Sequence, residues 1–574
     1  MRGDQREINQ VSQKRQNVEP RSNPRLPTEA FAKAAKAKSP CITKAKAMST
    51  SARPKRARMM GHIVWVLVLW AILLNLLTFN GYPIDTGEVA LAFLGLGAIG
   101  AVLGVLTQEL GPVLRHVLTP LFATIAIDLG FGIDPLHFFI AFAALALISY
   151  LWYDLFLTVF FSASLSVIVF QAFGMASADH GAGDPSRETA ATQQRPNGPS
   201  DRPALIHIIF DSYLGLDGMA LGPQYYRDLR EEQADFFIRE GFQVYPRAYS
   251  RHARTLNSLP TLFTYGTRKD SEFAAGVQYV APAQLPYFTD LDQRDYAISA
   301  VLPAYFDLCV NQKMSQCRTF ESSHLTSMLD TDLSMTDRIK VFGYTILNLS
   351  QTVRMVVSVF EVLEENRGGN NTRLLANRSE LFPLASLKML DTFIDDLATL
   401  RRGEARFAHI LLPHDPYILR PDCTVKPESE WLDEHGPGAT SARERAYADQ
   451  VRCLQTKLSD LLNELDRTPA GREAIILFHG DHGSRIAPSQ PIVDAPPLSP
   501  REEIMSFSTF YAIRIPGEAS GEIPGTHALD ELMADFRNRD FASAPRPPSI
   551  APRAAYIDAM GTPTEWRELP SFEP

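Results

Sequence analysis

Apolar positions follow two regimes along the chain. Between residues 63 and 173, five apolar runs succeed one another, at 63–79, 89–106, 117–133, 136–151 and 155–173. Each has about the length that crosses a hydrocarbon core of roughly 30 Å as a helix. A cleaved signal peptide carries one apolar run of about 7–15 residues, so this pattern predicts a bundle of five transmembrane helices instead. From residue 204 onward, short apolar runs alternate with longer amphipathic stretches. Strands are predicted at 205–210, 242–245, 296–301, 407–412, 474–478 and 510–515, and helices at 224–240, 339–365, 381–401 and 442–465. That alternation implies an α/β fold with a mostly parallel central sheet and helices on both faces.

Composition and charge refine this picture. The 574 residues are 45% hydrophobic and 21% charged, which excludes a wholly disordered chain, a collagen-like fibre and a small disulfide scaffold. Residues 1–60 hold 15 Lys and Arg against 4 Asp and Glu, although the whole chain carries a net −9. They show no sustained apolar period and are expected to form a disordered basic tail. The cluster Arg53-Pro54-Lys55-Arg56-Ala57-Arg58 abuts the first apolar run. It reads as a juxtamembrane patch that keeps the N-terminus cytoplasmic, in preference to a nuclear-localisation signal. A basic head on an acidic body also excludes a nucleic-acid enzyme, whose binding domain would itself be basic. After five crossings the body lies outside. The expected organisation is a tail (1–60), a transmembrane domain (61–175), a Gly- and Pro-containing linker (176–203) and an extracytoplasmic domain (204–574).

Two features of the membrane block need separate treatment. Gly95-Leu96-Gly97-Ala98-Ile99-Gly100 matches the dinucleotide fingerprint, which requires a preceding strand and access to water. Here it lies within a lipid-length run, and Gly100 and Gly104 make a small-xxx-small pair suited to helix packing. Asp128 is a carboxylate inside a predicted span, where charge is costly; it receives no role. Of five cysteines, Cys41 is in the tail and Cys309, Cys317, Cys423 and Cys453 are in the body. No C-x-x-C occurs, so zinc-ribbon and thioredoxin readings lack support. Two disulfides suit an oxidising compartment. Nearness favours Cys309–Cys317 with Cys423–Cys453 among the three pairings, and four free thiols are the alternative.

In open α/β sheets chemistry collects past the carboxyl ends of strands. The run 205–210 ends in Asp211. The run 407–412 ends in Pro413-His414-Asp415-Pro416-Tyr417, and 474–478 ends in His479-Gly480-Asp481-His482-Gly483. Carboxylates and imidazoles are ligands for zinc, and carboxylates for manganese. The glycines around Asp481-His482 let the backbone turn so that both side chains face one ion. In Arg254-Thr255-Leu256-Asn257-Ser258-Leu259-Pro260, Thr255 taken alone is a helix N-cap. Beside a divalent cation its hydroxyl can serve as a nucleophile, with the helix N-terminus favouring the oxyanion.

A strand ending in Asp211, then T-x-x-S-x-P from Thr255 to Pro260, then P-H-D-P-Y, then H-G-D-H-G, resembles the alkaline phosphatase/sulfatase superfamily in order and spacing. Apolar spans, a tether and an outward domain are similar to its membrane branch, the phosphoethanolamine transferases and the lipoteichoic-acid synthase-type phosphoglycerol transferases. The resemblance implies that Thr255 is nucleophile and metal ligand, and that Asp211, Asp481 and His482 complete a site for one divalent ion, zinc or manganese. It implies that His414 contacts the substrate phosphate or assists the leaving group. Arg251, His252, Arg254, Asp415 and Arg485 lie beside these motifs as candidate substrate-binding residues, solvated surface charge being the alternative for the cations. His409, inside its strand, is expected to pack in the sheet. The implied activity is transfer of a head group from a membrane phospholipid to an extracytoplasmic glycan or lipid, at a bacterial-type inner membrane. A hydrolase using water, and an inactive membrane-anchored binding protein, are the other readings. Sulfate-ester chemistry is disfavoured, because the C/S-x-P-x-R segment of sulfatases is replaced by Thr255-Leu256-Asn257-Ser258-Leu259. The membrane transferases often carry Glu at the first ligand, where this chain has Asp211.

Overall fold

The computed structural model describes residues 55–109, 111–177, 186–189, 201–267, 283–320, 325–356, 381–433, 439–487, 489–558 and 561–572. The expected tail up to residue 54, most of the 176–203 linker and the end of the predicted 339–365 helix lie outside these residues. Among the described residues, four helices are long and apolar enough to cross a membrane, in place of the five expected: α1 (Lys55–Phe79), α2 (Gly87–Glu109), α3 (Pro112–Phe131) and α4 (Pro135–Ser177). The runs 136–151 and 155–173 both belong to the 43-residue α4, which is interrupted by non-helical backbone at Trp152 (φ −141°, ψ 52°). The reason is local. Only Trp152-Tyr153-Asp154 separates the two runs, and none of these is a glycine or proline that would end a helix.

The glycines of α2 hold it against α1. A Cβ on Gly104 would lie 2.2 Å from the His62 carbonyl oxygen, and one on Gly100 would lie 2.7 Å from the Val66 Cα. Of the G-x-G-x-x-G stretch, Gly97, beside the Trp70 ring, and Gly100 are therefore packing positions, and Gly95 faces open space. The body meets the end of the bundle where α1 finishes, α2 begins and α3 finishes. Asn80 Oδ1 accepts the Leu325 N–H (3.2 Å), and Glu88 Oε1 accepts from Tyr82 (2.6 Å) and Arg338 (3.3 Å). Asp128, which had no role from sequence, is fully buried and accepts from Ser350 Oγ (2.5 Å), Gln351 N (3.2 Å) and Thr352 N (3.0 Å). Asp128→Ala leaves three donors without their acceptor, at about 1–3 kcal/mol for each one that water does not reach. The expected result in detergent is a lower melting midpoint with faster proteolysis within 325–356. An unchanged midpoint and cleavage pattern would show that the carboxylate does not secure the body.

The body is built on a nine-stranded sheet in the order β1-β6-β5-β7-β2-β8-β9-β3-β10. Its strands are β1 (Ser186–Thr189), β2 (Leu205–Phe210), β3 (Gln243–Val244), β5 (Ala297–Pro303), β6 (Gln316–Phe320), β7 (Glu404–Ile410), β8 (Ile475–Gly480), β9 (Tyr511–Arg514) and β10 (Gly521–Glu522); β4 (Arg247–Tyr249) pairs outside it. The central five, β6-β5-β7-β2-β8, are parallel, and β9, β3 and β1 add antiparallel pairings at the flanks. The sheet is thus mostly parallel, as expected, and it aims the carboxyl ends of its five central strands in one direction. Alternation along β2 divides the core: Ile206, Ile208 and Phe210 face one apolar cluster, and Leu205 and Ile209 face the other. The first is covered by α5 (Leu216–Ala220), α6 (Gln224–Arg239) and the helices Phe382–Leu397 and Thr440–Asp466. The second is covered by α7 (Thr255–Phe263), α8 (Pro286–Gln293) and Leu529–Asn538. A further helix, α9 (Met335–Leu349), follows β6 and packs on α2 and α3.

The cysteines pair by nearness, Cys309 with Cys317 and Cys423 with Cys453. Strand β6 was not predicted. Its Gln316-Cys317-Arg318-Thr319-Phe320 mixes polar and apolar positions, and it reads as a strand only once β5 lies beside it.

Candidate active site

Two adjacent parallel strand ends supply a buried cluster. Asp211 follows β2, and Asp481 and His482 follow β8; one ligand atom from each lies within 4.8 Å of the others. Here β8 continues through His479 and Gly480, two residues beyond the predicted strand, so only Asp481 and His482 project past its end. The flanking glycines act by close approach. A Cβ on Gly483 would meet the Met505 carbonyl oxygen at 2.0 Å, and one on Gly480 would meet Thr509 Oγ1 at 2.4 Å. Neither adopts left-handed backbone, so the sharp turn expected there is replaced by tight packing.

Thr255 opens α7, and the N-cap position is Arg254, whose side chain makes no capping bond. The threonine hydroxyl is consequently not used in capping. Thr255 Oγ1 lies 3.2 Å from Asp211 Oδ2 and 3.4 Å from His482 Nε2. His482 Nε2 is 3.5 Å from both Asp211 Oδ1 and Asp481 Oδ2. His482 Nδ1 lies 2.8 Å from the Gly483 carbonyl oxygen, which accepts and so requires Nδ1 to donate. Nε2 is therefore the ring nitrogen directed at the cluster.

Two contributors were missed from the sequence. Ser212 has left-handed backbone (φ 63°), which costs energy for a non-glycine residue and here aims its N–H at Asp481 Oδ1 (3.0 Å). Its hydroxyl donates to Asp211 Oδ1 (3.1 Å). Tyr305, just past β5, donates to Asp211 Oδ2 at 3.4 Å. A predicted strand ending at 301 left Tyr305 unmarked, whereas a strand reaching Pro303 places it at the common carboxyl edge. His409 is fully buried in β7, as expected, and neither of its ring nitrogens makes a hydrogen bond. Burial lowers its pKa, with the charges of Asp211 and Asp481 opposing.

The two carboxylates titrate in opposite directions. Burial pushes Asp211 up, yet the combined attraction of His414, His482, His409 and Arg485 outweighs it and holds the group below the usual carboxylate range. Burial and then the neighbouring Asp211 charge push Asp481 up. Asp481 Oδ1 accepts from Ser212 N and His482 N (2.8 Å), while its buried Oδ2 has no hydrogen-bond partner. Two crowded carboxylates, one of them with an orphaned oxygen, are the surroundings of a cation. The donor set of carboxylate oxygens, one imidazole nitrogen and one hydroxyl fits a divalent metal.

The remaining predicted residues divide. His414 joins the site. Its Nδ1 faces the Asp415 carbonyl oxygen (2.7 Å) and Asp415 Oδ1 (3.0 Å), and its Nε2 accepts from Arg485 Nη2 (2.8 Å). Arg485 and Asp415 are thereby placed on His414. Arg251 is instead engaged with Asp530 (2.9 Å) and Glu531 (2.6 Å) at the start of Leu529–Asn538. His252 Nε2 is 3.0 Å from Thr261 Oγ1, and Arg254 donates to Gln490 Oε1 at 3.3 Å.

No protein-family model and no curated protein matches this sequence. Solved structures do. One is the phosphonate monoester hydrolase of Agrobacterium radiobacter, at 13% identity and TM-score 0.39, over 60% of this chain and 74% of that one. Another is the C-terminal periplasmic domain of EcEptC from Escherichia coli, at 11% identity and TM-score 0.35, over 67% and 96%. A third is a 2-O GAG sulfatase, at 10% identity and TM-score 0.35, over 60% and 72%. These similarities run to sulfatases and alkaline phosphatase superfamily proteins.

Proposed function

We propose that this protein is a membrane-anchored, metal-dependent phosphoryl-group transferase that works through Thr255. The observation behind this reading is one hydroxyl, at the N-terminus of a nine-residue helix, within 3.4 Å of both a carboxylate and an imidazole in a cluster suited to a cation. Asp211, Asp481, His482 and Thr255 would hold the ion, zinc or manganese, which supplies Lewis acidity toward the hydroxyl and the phosphate oxygens. The helix N-terminus favours negative charge on Thr255 Oγ1. With its hydroxyl proton given up to solvent, Thr255 Oγ1 attacks phosphorus, the bond from phosphorus to the lipid alcohol oxygen breaks, and that oxygen takes the proton that a protonated His414 carries on Nε2. The head group stays on Thr255 as a phosphodiester. His414 then accepts the proton of an incoming hydroxyl, which attacks phosphorus and releases Thr255. Nε2 is the nitrogen for this exchange, because Nδ1 is turned toward the Asp415 carbonyl; Arg485, which donates to Nε2 here, frees it by turning to a phosphate oxygen.

Four apolar helices support a phospholipid donor, since soluble esters would require a single anchor at most. The body contacts the C-terminal end of α1, and Arg56 and Arg58 sit at the helix's other end. With positive charge retained in the cytoplasm, the body faces the extracytoplasmic side, where two disulfides are at home. Helix α4 returns to that side because its halves run back along each other about the break at Trp152, Tyr153 meeting Gln108 at the end of α2 (2.8 Å) and Gln171 meeting Asn75 near the end of α1 (3.3 Å). The acceptor is then a glycan or lipid on that side. Incubation of the full chain with phosphatidylethanolamine or phosphatidylglycerol and a divalent metal should give a head-group adduct by intact mass, mapped to the 255–260 peptide, together with released diacylglycerol. Ester cleavage with bound metal and no adduct, even after rapid quenching, would favour direct hydrolysis by water.

A further inference from the structure

Beyond residue 177, large apolar side chains exposed among the described residues are Val310, Met335, Leu347, Met355, Val356 and Trp566. Four of these six lie between 335 and 356, in α9 and the helical turn that follows it. Such crowding on a surface otherwise well covered marks an interaction site. The inner face of the segment is already used. Val341 and Phe342 are buried, Phe342 meets the Tyr82 ring edge-on at 4.9 Å, and Asp128 binds 350–352. Met335 reaches the start of α2, where a Cβ on Gly87 would lie 2.7 Å from its terminal methyl. At the end of α3, a Cβ on Gly132 would lie 3.7 Å from the Leu349 carbonyl oxygen. The segment therefore sits at the rim of the apolar bundle, level with the exposed Phe131 that ends α3. Leu347 (42% exposed), Met355 (41%) and Val356 (43%) are exposed within this segment at the rim, and the exposed Arg354 stands among them in sequence.

We propose that 335–356 is an interfacial segment whose outer face lies in the headgroup and acyl boundary of the bilayer that the apolar helices cross. Apolar side chains beside a cation, at the rim of a lipid-facing surface, are suited to that boundary and to anionic head groups. The segment is also tied to the catalytic side. Lys340 pairs with Glu428 (3.2 Å), and Asp332 accepts the Val425 N–H (3.0 Å), both on the loop that starts at His414-Asp415. Phe382, where the chain returns toward β7, sets its ring edge against His414 at 5.7 Å. Resting on the transferase reading, this places phospholipid head groups on the side of the site where the lipid alcohol leaves.

The test uses the full chain, with Cys41→Ser, in vesicles of phosphatidylethanolamine and phosphatidylglycerol. Nitroxides are attached at Leu347→Cys or Val356→Cys, with Ala519→Cys in an exposed loop for comparison. Labels at 347 and 356 should collide preferentially with oxygen, at a depth of about 5–10 Å below the headgroup surface. The label at 519 should collide preferentially with a water-soluble nickel complex. Nickel accessibility at 347 and 356 equal to that at 519 overturns the proposal. Exclusion of both reagents also overturns it, because a protein surface, such as a second copy of the chain, would then cover the segment. No turnover is needed, so this result stands or falls separately from the phosphoryl-transfer reading.

Discussion

Thr255→Ala should lower turnover of the phosphate ester by on the order of 10³-fold or more, with no head-group adduct and an unchanged fold. The size follows from what the side chain supplies. Removing a covalent nucleophile removes the entire two-step path, and positioning and electrostatic stabilisation then act only on whatever water can attack. The fold should survive because α7 does not depend on this hydroxyl: its N-cap is Arg254, and Thr255 Oγ1 is turned to Asp211 and His482. Thr255→Ser keeps the oxygen and should keep the adduct. Steady-state rates with intact mass separate the alternatives. A Thr255→Ala protein that retains wild-type turnover removes the nucleophile assignment, and one that loses metal and fold together leaves Thr255→Ser as the informative variant.

Asp481→Asn should weaken metal binding by about 100-fold or more, and activity should fall with metal occupancy. Asp481 Oδ1 accepts two backbone N–H groups, so the amide oxygen of asparagine must take that position. The NH₂ then replaces Oδ2, the oxygen without a partner, and offers donors where a cation needs a lone pair. Stability should change in opposite senses with and without metal. Burial and the nearby Asp211 charge raise the folded-state pKa of Asp481 above its unfolded value. Ionising Asp481 in the metal-free protein therefore costs stability, and that stability is lost as pH rises through the folded pKa. Near neutral pH, metal-free Asp481→Asn should melt at or above the metal-free wild type. With metal at 100 times its dissociation constant the wild type gains about 2.7 kcal/mol, most of which the variant lacks. Melting midpoints in chelator and in added zinc or manganese measure this directly. Equal metal-induced shifts in both proteins would show that Asp481 is not a ligand.

Much of the site was legible because its chemistry comes as short motifs at strand ends. Asp211, Asp481-His482 and His414 each follow an apolar run, and parallel pairing of β2, β7 and β8 is enough to gather them. Thr255 was legible only through its motif. As an isolated residue it looked like a cap, and the structure assigns that position to Arg254. Arg251 illustrates the converse, since adjacency in sequence suggested a phosphate contact and Asp530 and Glu531, some 280 residues away, engage its guanidinium.

By itself, then, the sequence determined what depends on local periodicity and residue type: an apolar helical region, an α/β body, the βαβ order and the candidate metal-ligating groups. Hydrophobic period and strand-end position are encoded within a few residues, so no distant partner is needed to read them. Only the tertiary structure decided that the last two apolar runs form one interrupted helix, that Asp128 receives a chain segment more than 220 residues downstream, and that Ser212 and Tyr305 orient the carboxylates. Each of these depends on which distant groups meet in space, and a buried carboxylate acquires its role from the donors packed against it.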